Sequence, residues 1–586
     1  MRKTKIVCTL GPASTDKEVI RQMMLEGMNV ARFNFSHGSH EEHLEKLDNI
    51  RQLRQELKLP VATLLDTKGP EIRLKKFKEG KAFLETGKEF ILTTKDIEGD
   101  ATAVSVTYQD LPQDLHVGSR VLLDDGLIEL KVLELTDTDV RCQIINGGKI
   151  SDRKGVNLPG VHLSMPYLSE QDKKDILFGI AQGFDFIAAS FVRSAADILA
   201  IREILAQKSC HHIKIIAKIE NAEGVENIDH ILKTADGIMV ARGDLGVEID
   251  FEEIPILQKM MIKKCYSAGK VVITATQMLE SMINNPRPTR AEANDVANAI
   301  YDGTSAIMLS GETAAGQWPI EAVRTMAAIA QRVEKDIDYK KRFKARQDDT
   351  AISITDAISH ATCTTAHDLG AAAIIPVSKS GRSARMVSKY RPGVPILACT
   401  TNEFTYRQLN LSWGVLPIMM DEQTSTDALF EAAIQAAYAH PCRLLHDGDL
   451  VVLAAGVPVG MSGTTNLIKV ATVGTSLVSG LGANTFSTVG NVCVARSNEE
   501  MFANFNFGDI IVCKDTCDLW MKMMSHASGI ITVASGIGSH IASVADQFNV
   551  PIITGAKGCT HVLKTGMNVV MDAKCGIVSP LSADQK

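Results

Sequence analysis

Nowhere in these 586 residues do 18 apolar residues follow one another, so no segment reads as a membrane-spanning helix. The start, Met1-Arg2-Lys3-Thr4-Lys5, is basic, but the apolar run behind it (6–10, broken by Thr9) is too short for the core of a signal peptide. Both absences predict a cytoplasmic protein. A basic surplus is also missing. The net charge of −7 and the pI near 6.1 argue against nucleic acid as the main partner, because a phosphate-backbone binder carries excess Lys and Arg. Cysteines are few, 12 in all, and the closest pair, Cys513 and Cys517, lacks the C-x-x-C spacing of redox or zinc motifs. Reduced thiols are expected. No G-x-x-x-x-G-K-[ST] loop occurs, so any nucleotide is held without a Walker-type cradle, and no Ser/His/Asp set or H-E-x-x-H is found. The chemistry expected is charge stabilisation rather than covalent catalysis.

What is present is a repeated strand-then-helix unit. Hydrophobic content of 45% and charged content of 22% are those of a soluble globular protein, and the length suggests roughly three to four domains. Short apolar strands at 5–10, 29–35, 61–67, 185–191, 214–220, 237–243, 271–277 and 306–310 are each followed by an amphipathic helical segment, which predicts a (β/α)8 barrel. After Asp66-Thr67 about a hundred residues of alternating pattern intervene, with turn signals at 124–126 and 146–148. They predict a small β-barrel lid domain inserted at the mouth of strand three. The expected domains are a barrel (1–69 and 170–345), the lid (70–169), a doubly wound α/β domain (346–472) and a further α/β tail (473–586). The basic run 340–346 reads as a solvated linker.

Parallel α/β barrels open the carboxyl ends of their strands onto one face, where active sites lie. Within a strand, residues i and i+2 share a side. Lys218 and Glu220 therefore face the barrel mouth together, as do Arg32, Asn34 and Ser36, and Asp244 leaves the neighbouring strand six. Two carboxylates so placed suit one hard divalent cation, magnesium being expected because it binds through one or two carboxylates plus substrate oxygens. A lysine and two arginines, Arg32 and Arg73, add a site for an anionic, phosphorylated substrate.

Seven segments carry a family resemblance: NVARFNFSHG (29–38), LDTKGPEIR (65–73), KGVNLPG (154–160), AKIEN (217–221), MVARGDLGVE (239–248), ATQMLESM (275–282) and SGET (310–313). In order and spacing from residue 1 to about 472 they resemble the pyruvate kinase family. The resemblance implies phosphoryl transfer from phosphoenolpyruvate to ADP, giving pyruvate and ATP at the last step of glycolysis. It implies that Lys218 stabilises the transferring phosphoryl group, that Glu220 and Asp244 hold Mg2+ (or Mn2+), and that Arg32, Gly243, Asp244 and Thr276 bind substrate. Arg73, Thr276 and Ser310 would join Lys218 in catalysis, the last two as a proton relay. It further implies K+ ligands at Asn34, Ser36, Asp66 and Thr67, with Glu71 as the mark of potassium dependence. Nucleotide contacts would come from Asn34, Phe35, Ser36, His37, Arg73 and Lys154.

In the third domain, Ser378, Lys379, Ser380, Gly381, Arg382 and Ser383 lead from a strand into a helix, an arrangement suited to phosphate. The loop resembles the effector loop of pyruvate kinases activated by sugar phosphates, with Ser462-Gly463-Thr464-Thr465-Asn466 as a neighbouring polar loop. The effector stays open between fructose 1,6-bisphosphate, ribose 5-phosphate and AMP. The tail resembles a phosphohistidine domain, His540 matching its histidine, but Gly538 stands where that pattern has threonine, so a structural or assembly role is expected. The resemblance also implies a homotetramer. Two rivals remain at this point: a magnesium-dependent barrel lyase acting on pyruvate or oxaloacetate, and a metabolite sensor without catalysis.

Overall fold

A computed structural model describes residues 1–345, 353–457, 465–474, 476–536, 539–541 and 547–581. The chain divides into two units, 1–337 with 410–413, and 338–409 with 414–586. In the first, eight parallel strands close into a barrel: Lys5–Leu10, Val30–Asn34, Ala62–Asp66, Phe186–Ala189, Lys214–Ile219, Gly237–Ala241, Val271–Ala275 and Ala306–Leu309. The last pairs with the first, Lys5 opposite Ala306. These are the eight strands expected from the sequence.

The side-to-side alternation of each strand sorts its residues. Val7, Val30, Ala62, Leu64, Phe186, Ala188, Ile216, Met239, Ile273 and Met308 fill the interior, while Ile215, Ala217 and Ile219 pack outward against helices. Continuing the inward parity past the interior core brings Thr9, Arg32, Asp66, Ser190, Lys218 and Ser310 to the mouth. At the opposite end, the inner core is completed by Leu411, fully buried. Its neighbour Asn410 donates to the carbonyls of Asn29 and Pro60, at 3.0 and 2.9 Å.

Between the third and fourth barrel strands the chain builds a six-stranded sheet and a two-stranded ribbon around one apolar core that includes Phe90, Leu92, Val121, Leu130 and Ile144. In the second unit, Val415–Met419, Ile396–Thr400, Ala373–Pro376 and Leu450–Ala455 form a parallel sheet, edged by antiparallel Leu467–Thr472. Adjacent residues such as Ile374 and Ile375 enter separate cores on its two faces, the signature of a doubly wound domain. The tail forms an eight-stranded mixed sheet.

One expectation is corrected here. The basic run at 340–346 is no bare linker, because Tyr339–Lys344 is helical, with Tyr339 and Phe343 buried. The two aromatics lie one turn apart, and Phe343 stacks on His360 with centroids 5.0 Å apart, so the lysines ride on the outer side of an anchored helix. Arg346 lies outside the described residues. Among the described residues no helix is long and apolar enough to cross a membrane.

Candidate active site

The mouth gathers charge that is almost entirely buried. Arg32 and Lys218 are each 8% exposed, Asp66 and Glu220 0% and 1%. Arg32 Nε donates to Asp66 Oδ2 at 2.6 Å, and its Nη1 donates to Thr9 Oγ1 at 2.9 Å. Lys218 Nζ lies 3.2 Å from Asp66 Oδ1 and 2.9 Å from Glu220 Oε1, and donates to Ser190 Oγ at 2.7 Å. Charges placed so are costly unless paired and hydrogen-bonded. Here the pairing is close to complete on the cationic side.

The titration of these groups follows from the geometry. Burial opposes the charge on Lys218, but Asp66 and Glu220 outweigh it and push its pKa up. Asp66, although buried, is held below the usual carboxylate range by Arg32 and Lys218. Burial raises the Glu220 carboxyl; Lys218 pulls it back, and the charge of Asp244 adds to the rise. Two cations thus face three carboxylates, a set short of positive charge. That shortage and the all-oxygen donors fit a hard divalent ion at Glu220 and Asp244. No group of three or more His, Cys, Asp and Glu able to hold a metal occurs among the described residues, so substrate or water oxygens would complete its shell.

The remaining expected residues fall into separate places. Asn34 Oδ1 accepts from the Ser36 amide at 3.1 Å, and His37 is exposed. Phe35 is buried and stacks on His43, centroids 4.2 Å apart. The Thr67 carbonyl accepts from Ser190 Oγ at 2.6 Å. With Asp66 these supply amide, hydroxyl, carboxylate and carbonyl oxygens, the donor types a monovalent cation takes. Arg73 is not joined to the buried cluster: its guanidinium lies 2.7 Å from Glu71 and donates to the Arg153 carbonyl at 2.8 Å, at the base of the inserted domain. Lys154 pairs with Asp124 at 2.7 Å within that domain.

After strand six the helix Arg242–Glu248 begins, and the Gly243 amide donates to Thr276 Oγ1 at 2.7 Å. Thr276 and Gln277 have φ of 66° and 53°, a left-handed turn that carries the threonine to its neighbour strand. Ser310 Oγ is buried and makes no hydrogen bond among the described residues, an exception that marks a place for a ligand or water. A cleft between the inserted domain and the barrel is lined by Glu71, Asn157, Phe191, Asn221, Asp244 and Glu248, among others.

Sequence reasoning missed Ser190 and Thr9. Both have the parity of the inward residues on their strands, Ser190 two past Ala188 and Thr9 two past Val7, and that alternation is the signal that finds them.

In the third domain, Gly381 has φ 73° and opens the helix Arg382–Lys389. Lys379 pairs with Glu422 at 3.0 Å, Arg382 is exposed, and Ser383 Oγ lies 2.6 Å from Thr465 Oγ1. The two polar loops therefore meet, although Ser462, Gly463 and Thr464 lie outside the described residues. In the tail, His540 Nδ1 lies 2.7 Å from Thr516 Oγ1 and Nε2 lies 3.1 Å from Asp518 Oδ1, so both ring nitrogens are engaged. Gly538 lies outside the described residues.

Comparison with known proteins covers nearly the whole chain. Family models match in order: pyruvate kinase, barrel domain, over 1–323; pyruvate kinase, alpha/beta domain, over 356–471; and PEP-utilising enzyme, mobile domain, over 505–576. The chain is 48% identical to a pyruvate kinase of Geobacillus stearothermophilus over 579 residues, 98% of each chain, and 48% identical to one of Bacillus licheniformis over 580 residues, 99% of each. A crystal structure of a pyruvate kinase from Cryptosporidium parvum superposes with a TM-score of 0.76 at 40% identity, over 81% of this chain and 96% of that one. Enzymes of this family generally use Mg2+ and K+. With the buried lysine–carboxylate cluster at the mouth of a closed barrel, these matches show that the chain belongs to the pyruvate kinase family, phosphotransferases that act on phosphoenolpyruvate and ADP to give pyruvate and ATP.

Proposed function

We propose the following division of labour in this phosphotransferase. Lys218 neutralises the charge that spreads over the phosphoryl oxygens in flight, a term realised mainly in the transition state. What carries this reading is the Lys218 ammonium, buried and within 3.2 Å of both Asp66 and Glu220, which keeps it charged and aimed at the mouth. Glu220 and Asp244 hold the divalent ion, which when bound supplies Lewis-acid polarisation of phosphoryl oxygens. Asn34, Ser36, Asp66 and the Thr67 carbonyl hold K+. Arg32 grips phosphate oxygens, and Gly243, Asp244 and Thr276 take the substrate carboxylate. Asn34, Phe35, Ser36, His37, Arg73 and Lys154 form the nucleotide side. The Ser310 hydroxyl, which has no hydrogen-bond partner among the described residues, supports a proton relay with Thr276 to the enolate carbon.

The inserted domain, 70–169, closes over the nucleotide and excludes water, which protects the phosphoryl group from hydrolysis. The domains read from the sequence are a barrel over 1–69 and 170–345, an effector domain over 346–472 and a tail over 473–586, while the contact division draws the first border after 337 and returns 410–413 to the barrel unit. Residues 378–383 bind a phosphorylated effector, a reading supported by the left-handed Gly381, the exposed Arg382 and the nearby Thr465 hydroxyl. The protein works in the cytoplasm as a homotetramer, and the tail serves structure or assembly, since both nitrogens of His540 are engaged.

The test is pyruvate formation from phosphoenolpyruvate and ADP with Mg2+, comparing K+ with Na+ in one buffer. Potassium-dependent turnover is expected. Turnover indifferent to the choice would discard the monovalent site while keeping the enzyme.

A further inference from the structure

The three N–H bonds of Lys218 have three partners: Asp66 Oδ1, Glu220 Oε1 and Ser190 Oγ. Two of these are the carboxylates assigned above to cations. The neutral hydroxyl of Ser190 is the partner of the three that is not assigned to a cation.

Ser190 is itself fixed on every side. Its Oγ donates to the Thr67 carbonyl at 2.6 Å, with Asp66 Oδ1 at 3.1 Å, and its N–H donates to Thr67 Oγ1 at 3.2 Å. The next residue, Phe191, has φ 53°, a left-handed conformation that is strained for a bulky side chain and persists only where the surroundings hold it. The Phe191 amide donates to Glu220 Oε2 at 2.6 Å. One short turn therefore orients both Lys218 and Glu220.

That turn also meets the two segments by which the chain enters and leaves the inserted domain. On the outgoing side, a Cβ added to Gly69 would lie 2.9 Å from Ser190 Cβ. On the returning side, the buried Tyr167 donates its hydroxyl proton to the Ser190 carbonyl at 3.0 Å, and Arg193 donates to the carbonyls of Leu163 and Met165 at 2.9 and 3.2 Å. The hinge of the lid and the catalytic ammonium share a common support.

We propose that Ser190 is a positioning residue for phosphoryl transfer: its hydroxyl aligns the Lys218 ammonium, and the Tyr167 hydrogen bond to its carbonyl makes that alignment depend on the seating of the returning lid segment. The proposal rests on the role assigned to Lys218 above. A displacement of about 1 Å in such a group costs on the order of a hundredfold in rate. Tyr167 acts through Ser190 rather than on the substrate.

The experiment compares the full-length wild type with Ser190→Ala, Tyr167→Phe, the double variant and Lys218→Met. Steady-state pyruvate formation is measured along with inorganic phosphate released per ATP, the melting curve, and amide exchange over 163–167 in the substrate-free protein. Ser190→Ala is expected to lower kcat about 10- to 100-fold while KM for phosphoenolpyruvate moves less than about threefold. Tyr167→Phe is expected to lower kcat about three- to tenfold, to release more phosphate per ATP as water enters, and to speed exchange over 163–167. The double variant should be no slower than Ser190→Ala, because both changes act through one residue.

A folded Ser190→Ala protein with kcat within about twofold of wild type overturns the positioning role. Losses that multiply in the double variant overturn the link to Tyr167. Should Ser190→Ala fail to fold, Tyr167→Phe decides alone, and unchanged kcat with unchanged phosphate release overturns the proposal. Near-normal turnover in Lys218→Met, by contrast, sinks the Lys218 assignment and this inference with it.

Discussion

Two buried lysines at opposite ends of one barrel meet opposite fates. Lys218 at the mouth and Lys5 at the base are 8% and 5% exposed. Burial opposes the charge on both. At the mouth, Asp66 and Glu220 outweigh it and raise the pKa of Lys218. At the base, Arg2 adds to the penalty and Glu334 recovers only part, so the Lys5 pKa is pushed down to about 7. Lys3 beside it falls to about 8, through burial offset in part by Glu334. Depth alone therefore does not decide what a buried charge does; the sign of its neighbours does. The mouth concentrates charge for use on a substrate, and the base tolerates charge in the course of closing the fold, in keeping with the division of labour between the two faces of such barrels.

The largest effect that would sharpen this contrast is expected from Lys218→Met. Turnover should fall by about a thousandfold or more while phosphoenolpyruvate still binds in equilibrium titration, because the lost term belongs to the transition state. Comparable turnover would break the mouth half of the comparison. Glu334→Gln should act the other way. Its carboxylate accepts the Lys3 and Thr4 amides at 2.7 and 2.6 Å among buried cations, so removing its charge should cost about 3–5 kcal/mol in denaturant unfolding and leave kcat within about twofold.

Lys5→Met should change the pH dependence of stability rather than the rate. Unfolded Lys5 keeps its proton to about pH 10.5 and folded Lys5 only to about 7, so unfolding takes up a proton in that window and stability rises with pH there. Melting curves from pH 7 to 9 should show that rise in wild type and a weaker one in Lys5→Met; an equal slope would refute the depressed lysine. The smallest effect is expected away from the barrel: Arg382→Ala should shift the concentration of sugar phosphate needed for half-activation about tenfold and leave the maximal rate unchanged, since the residue is exposed.

Much of the mouth was legible because it obeys a local rule. Lys218, and Glu220 one residue past the strand's end, continue the inward parity of Ile216, and alternation alone predicts their meeting. Ser190 obeys the same rule, yet a lone serine carries no chemical signal until Lys218 is seen beside it. Thr276 escapes alternation because its φ of 66° breaks the strand geometry. Arg73, read as a member of the mouth, pairs with Glu71 two residues earlier, a short-range contact that strand alternation does not predict. The helix at Tyr339–Lys344 was hidden by its charges: four of its six residues are Lys or Arg and mask two aromatics one turn apart. No local pattern, finally, announces that 410–413 belongs with the barrel, since that contact spans hundreds of residues of chain.

Leu411 makes the barrel's interior a discontinuous piece of text. A gene fragment ending at residue 337 would spell all eight strands and still encode a barrel whose inner core lacks a leucine, a defect that costs about 2–5 kcal/mol when made by substitution. Recombination that exchanged the third domain at its obvious borders would carry that leucine away with it. The unit that can be swapped between relatives without damage is therefore set by where the plug is written, not by where the domains appear to end.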